Sequence, residues 1–122
     1  MNNILLVEDD TLLIDIYSTK LKEAGYEVEV VTDGSRVLEA IKKHKPALVL
    51  LDIVLPELDG WGVLKSIKED SGTKDTKVLV LSNLGQKEEV EKGMKLGAVQ
   101  YLVKAHHTPS QVVQEVTSLL TS

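Results

Sequence analysis

Short aliphatic runs, apolar on both faces, alternate along this whole chain with longer stretches whose apolar residues recur at helical spacing. A strand with no polar face has to be buried on both sides, as happens in parallel sheets covered by helices above and below. Ile4-Leu5-Leu6-Val7, Ala47-Leu48-Val49-Leu50-Leu51 and Val78-Leu79-Val80-Leu81 are of this kind, and a last short strand is expected at 100–103. Residues 27–31 alternate polar and apolar, the pattern of an edge strand with one wet face.

Between the strands, Leu13, Ile14, Tyr17, Leu21 and Ala24 define a first helix, closed by Gly25. Val37, Leu38 and Ile41 define a second, ended before Pro46, and Val63, Leu64 and Ile67 a third, started by Asp59-Gly60. A fourth, about residues 87–96, has a narrow stripe of Val90 and Met94, and Gly93 in its interior costs about 1 kcal/mol relative to Ala. Val112, Val113, Val116, Leu119 and Leu120 line a fifth, with Thr108 or Ser110 as its N-cap. Five strand–helix units with short connections predict an α/β fold: a doubly wound, five-stranded parallel sheet in the order 2-1-3-4-5, with five helices. The 122 residues leave room for one domain, 1–122.

Every predicted inner strand, and the last one, runs into a polar residue. Glu8-Asp9-Asp10 follow the first, Asp52 the third, Ser82 the fourth and Lys104 the fifth. In a parallel sheet these ends share one edge, and ligands bind there where the strand order reverses, between strands one and three. An acid closing a strand is often only a turn former or a helix cap. Asp59-Gly60 already starts the third helix, which leaves Asp52 free, and Asp10 is the residue best suited to cap the first.

Glu8 and Asp9 beside Asp52 concentrate negative charge and push a carboxyl pKa upward, a conflict that a bound cation removes. Carboxylates, a backbone carbonyl and water suit Mg²⁺, and the absence of a neighbouring His or Cys set disfavours zinc. Asp52 then reads as a nucleophile toward a phosphoryl group, with Mg²⁺ and the Lys104 ammonium stabilising charge in transit and Ser82 hydrogen-bonding the attached group.

Composition narrows the alternatives. With no Cys there is no disulfide or thiolate chemistry, and no stretch approaches the roughly 20 apolar residues of a membrane span. No signal peptide is visible, so the expectation is a cytoplasmic protein. A net charge of -5 argues against direct nucleic-acid binding.

The motifs Ile4-Leu5-Leu6-Val7-Glu8-Asp9-Asp10, Asp52-Ile53-Val54-Leu55-Pro56-Glu57-Leu58-Asp59-Gly60, Leu81-Ser82 and Tyr101-Leu102-Val103-Lys104 resemble those of the receiver domain of two-component response regulators. The resemblance covers essentially the whole chain and implies a flavodoxin-like fold. It implies Asp52 as phosphoacceptor from a histidine kinase or phosphotransfer protein, and Asp9 as the direct Mg²⁺ ligand beside Asp52. Glu8 acts through water, and the carbonyl of Val54 is a third protein ligand. Lys104 contacts the phosphate, and Ser82 and Tyr101 form the switch. Signalling is then a population shift that remodels the surface of the fourth helix, last strand and last helix for an unspecified downstream protein.

Several positions depart from that pattern. Ala105 stands where the family has Pro after the lysine, Asn83 where a small residue follows the switch hydroxyl, and Val99-Gln100 where winged-helix transcription factors of the family carry an acidic pair. The last change favours a monomer, or a weak dimer formed on phosphorylation. His106 and His107 read as loop residues and Trp61 as helix packing. Val54 and Leu84, two residues beyond Asp52 and Ser82, match positions that flank the phosphoryl group in the family, and being apolar they cannot orient water, so a slowly hydrolysing acyl phosphate is expected.

The leading expectation is a stand-alone signalling module rather than an enzyme, beyond self-catalysed phosphoryl acceptance and slow autodephosphorylation. The alternative is a Mg²⁺-dependent phosphohydrolase with an aspartyl nucleophile. It would need a second acid where Val54 stands.

Overall fold

The computed structural model of the protein describes residues 2–55 and 59–121. Pro56, Glu57 and Leu58, part of the 52–60 motif quoted above, lie outside the described residues. The strands are β1 (Asn3–Val7), β2 (Glu27–Val31), β3 (Leu48–Leu51), β4 (Lys77–Ser82) and β5 (Gln100–Val103). The helices are α1 (Thr11–Glu23), α2 (Val37–His44), α3 (Gly60–Glu69), α4 (Lys87–Lys95) and α5 (Pro109–Thr121). All strand pairings are parallel, in the order β2-β1-β3-β4-β5.

The doubly apolar strands lie inside, as their composition demands, and each sheet face carries its own core. Leu5, Val7, Val49, Leu51, Val78 and Val80 pack with Val37 and Ile41 of α2 and Val63, Leu64 and Ile67 of α3. On the opposite face Ile4, Leu6, Leu48, Leu50, Leu79 and Leu81 pack with Tyr17 and Leu21 of α1 and Val112 and Val116 of α5. A period of two along each strand thus feeds two separate layers.

Helix ends follow side-chain chemistry. Asp10 Oδ1 accepts the amide hydrogens of Leu12 and Leu13, and Asp59 Oδ1 that of Trp61, satisfying donors that a helix start leaves without partners. Thr108, rather than Ser110, caps α5, accepting from the Gln111 amide at 3.2 Å ahead of Pro109 in the first helical position. Gly25, at φ +96°, closes α1. The end of α5 is tied to the pole of the sheet remote from the acids. Lys77 Nζ donates to the Leu119 carbonyl at 2.7 Å, and the hydroxyls of Tyr26 and Thr117 lie 2.8 Å apart.

Two details differ from expectation, and a third falls at a bond that the sequence left open. Ser82 is the last residue of β4 rather than the first beyond it, because it still pairs with Val103 in register. Met94, expected inward on α4, is 42% exposed, and buried Gly93 faces the core in its place. Residues Lys104–His106 form a 3-10 turn, and with no cis peptide bond among the described residues the Lys104–Ala105 bond is trans. No helix among the described residues is long and apolar enough to cross a membrane.

Candidate functional site

The C-terminal ends of β1, β3 and β5 deliver Glu8, Asp9, Asp52 and Lys104 to one depression at the reversal of strand order. Its volume is ≈ 490 Å³, and Asp10, Leu13, Val54, Leu55 and Asn83 complete its lining. Register explains the convergence: Val7 is level with Leu51, so the residues after each strand emerge side by side. The Asp52 amide continues the ladder by donating to the Val7 carbonyl at 3.1 Å.

Lys104 joins the two buried acids. Its Nζ lies 2.7 Å from Glu8 Oε1 and 2.9 Å from Asp52 Oδ2. Glu8 is 2% exposed and fully engaged within the protein, since its Oε2 accepts from the amides of Asp9 and Asp10 at 3.1 and 3.3 Å. Asp52 is 7% exposed, and its Oδ1 accepts from the Val54 amide at 3.1 Å. Asp9 is exposed and has its carboxylate in the open part of the depression.

These positions set the electrostatics. Burial raises the pKa of Glu8 above its ordinary 4.5; the Lys104 hydrogen bond offsets part of the shift and the Asp52 charge adds to it. Burial alone would lower the Lys104 ammonium, but its hydrogen bonds to Glu8 and Asp52 more than reverse that, holding it above 10.5. One ammonium against two buried carboxylates, with a third acid adjacent, leaves the cluster net negative.

One oxygen from each of Glu8, Asp9 and Asp52 lies within 4.8 Å of the others, close enough to surround a single small cation. Hard oxygen donors with no His or Cys in the set fit Mg²⁺ in kind. The residues present therefore fit that ion, and His106 and His107 stand apart from it.

Ser82 and Tyr101 do not line the depression. They meet at Leu84 instead. The Ser82 hydroxyl, fully buried, accepts from the Leu84 amide at 3.2 Å, and the Tyr101 hydroxyl donates to the Leu84 carbonyl at 2.5 Å. Burial, then the Glu89 carboxylate, pushes the Tyr101 hydroxyl above its ordinary range. The Leu84 backbone is the participant that the sequence reading missed, because a backbone carbonyl leaves no mark in residue types. Asn83 lines the same depression as Asp52.

Comparison with known proteins agrees with this geometry. The family model described as "Response regulator receiver domain" matches residues 4–117. Over 104 residues the chain is 36% identical to the DNA-binding dual master transcriptional regulator RpaA of Synechocystis, a match covering 85% of this chain and 43% of that protein. The chain thus spans less than half the length of this curated relative. Among solved structures it is similar to the BeF3-activated N-terminal receiver domain of Klebsiella pneumoniae RstA, with a TM-score of 0.90, 27% identity, and coverage of 99% and 100% of the two chains. It is likewise similar to the chemotaxis response regulator CheY4 of Vibrio cholerae, with a TM-score of 0.89, 28% identity, and coverage of 98% and 99%.

Proposed function

The chain belongs to the response regulator receiver domain family of two-component signalling, and on that basis we propose that Asp52 is its phosphoacceptor. The observation that carries this reading is Lys104 bridging Asp52 and Glu8 beside a third acid, at the strand ends where such sheets bind ligands. The donor is a phosphohistidine of a histidine kinase or phosphotransfer protein. A carboxylate oxygen of Asp52 attacks phosphorus, the bond to the histidine nitrogen breaks, and an acyl phosphate results.

Asp9, Asp52 and the carbonyl of Val54 would hold Mg²⁺, with Glu8, the most deeply buried of the three acids, acting through water as the family resemblance implies. When bound, the ion supplies neutralisation of the acid cluster and of the phosphoryl oxygens. Lys104 is placed to follow the transferred group, exchanging a carboxylate partner for a phosphoryl oxygen. Val54 presents an apolar side chain, 58% exposed, where an aspartyl phosphohydrolase would need an acid. That supports a signalling module over an enzyme that turns over a substrate.

Readout runs through Leu84. A Ser82 hydroxyl that turns to the phosphoryl group releases the Leu84 amide, and the carbonyl of the same residue holds Tyr101. Phosphorylation adds about -1.5 to -2 charges at Asp52, the input for this shift. The output is the surface of α4, β5 and α5, offered to a protein partner.

Incubation with a small acyl-phosphate donor, with and without Mg²⁺, followed by intact mass tests the reading. We expect a Mg²⁺-dependent gain of one phosphoryl group that Asp52→Ala abolishes. A gain that survives in Asp52→Ala would move the acceptor elsewhere.

A further inference from the structure

We propose that Trp61 and Gly93 are positioning residues for Tyr101: they build a seat that holds its ring inward by contacts independent of the acid cluster. The proposal rests on the reading of Tyr101 as the switch aromatic.

The Tyr101 ring, on β5, lies between two helices. Trp61 of α3 stacks on it, with centroids 6.3 Å apart and planes inclined by 24°, within the range of favourable offset pairs. Lys92 of α4 sets its ammonium 4.6 Å from the Trp61 ring centroid and caps the stack from outside. The hydroxyl is fixed by the Leu84 carbonyl. On the remaining side is Gly93, where a Cβ would stand 2.6 Å from Tyr101 Cδ2 and 3.0 Å from Cε2.

That last distance explains a residue which helix chemistry alone disfavours. Gly in a helix interior is unfavourable relative to Ala, yet any side chain at 93 would occupy the volume of the ring. Backbone flexibility is not what the position needs; absence of a Cβ is. Trp61, Gly93 and Lys92 all lie outside the lining of the acidic depression. The inward rotamer is therefore favoured by its own neighbours, and phosphorylation acts on an equilibrium already biased toward it.

Trp61 is the only tryptophan, so its fluorescence reports this stack alone. Acrylamide quenching of Trp61 is measured for the wild-type chain, Gly93→Ala and Tyr101→Leu, with and without beryllofluoride and Mg²⁺. Gly93→Ala favours the helix while evicting the ring, and it should raise the quenching constant roughly twofold, as should Tyr101→Leu. It should also return one tyrosine to an ordinary ionisation midpoint in ultraviolet titration. Trp61→Phe should keep that midpoint raised and Trp61→Leu should lower it, a rescue that general loss of packing would not produce.

Wild-type quenching should change little on adding beryllofluoride. A large fall would mean that the ring seats only on activation and would overturn the proposal. So would quenching in Tyr101→Leu equal to wild type, which remains decisive if Gly93→Ala fails to fold. Intact mass after acyl-phosphate treatment of Gly93→Ala separates the two readings. If Asp52 takes no phosphoryl group in any form, the functional reading fails while the seat, measured without donor, stands on its own quenching data.

Discussion

Lys104 faces two buried acids, and at Glu8 the loss of solvent is the largest influence. Glu8, its pKa raised chiefly by loss of solvent, binds its proton more tightly folded than unfolded. Such a group makes the fold less stable as pH climbs from the unfolded value through the folded one. Glu8→Gln should therefore flatten the decline of melting temperature above pH 4.5, read by thermal unfolding across a pH series, and an unchanged slope would assign the decline to other groups. Lys104 works at the other end of the scale. Its stabilisation is complete below pH 10.5 and is lost as pH rises through its raised folded value. Apolar neighbours would also set the lifetime of the proposed acyl phosphate. Val54 and Leu84 carry no group that can orient an attacking water, so replacing both by polar residues should speed phosphate release about tenfold or more, within the range of positioned acid–base catalysis. Timed loss of the phosphoryl mass would check this, and an unaltered rate would sink it.

Elements divide the labour of neighbouring acids. Asp10 caps α1, whereas Asp9 projects into the open depression. Asp10→Ala should cost about 1 kcal/mol in denaturant unfolding and leave Mg²⁺ affinity nearly intact. Asp9→Ala should do the reverse, with stability within about 0.5 kcal/mol of wild type and calorimetric Mg²⁺ binding weakened. Loss of stability in both, or of binding in both, would show the roles to be shared. This division was legible beforehand, since a strand end followed by a helical stripe needs a cap and the acids are consecutive. Strand order was legible for the same kind of reason, from three runs with no wet face and one with alternation. What stayed hidden was contact between distant positions. Gly93 read as a weakness of α4 because the ring it accommodates comes from the next strand. Met94 read as core because the stripe was counted without knowing that a glycine faced inward. Ser82 read as following its strand because pairing with Val103 has no signature in β4 itself.

At the scale of the whole molecule, a net-negative cluster stands at one pole of the sheet, and a cation bound there would add to stability. Mg²⁺ that binds only the folded state should raise stability by about 2.7 kcal/mol at a hundred times its dissociation constant. Thermal melts at fixed ionic strength would measure the rise, and it should vanish in Asp9→Asn; an equal rise in that variant would place the ion elsewhere. The opposite pole has no such dependence. There Lys77 and Tyr26 fasten the last turns of α5 through Leu119 and Thr117. A rod held at one end is a lever. Over the roughly 20 Å of this helix, a tilt of about 5° at the fastened end carries the other end about 1.7 Å sideways, close to the turn that bears Lys104. Any tilt of α5 on phosphorylation would thus be largest beside the acids and smallest at the far pole, where anything attached would feel a hinge pin rather than a moving arm.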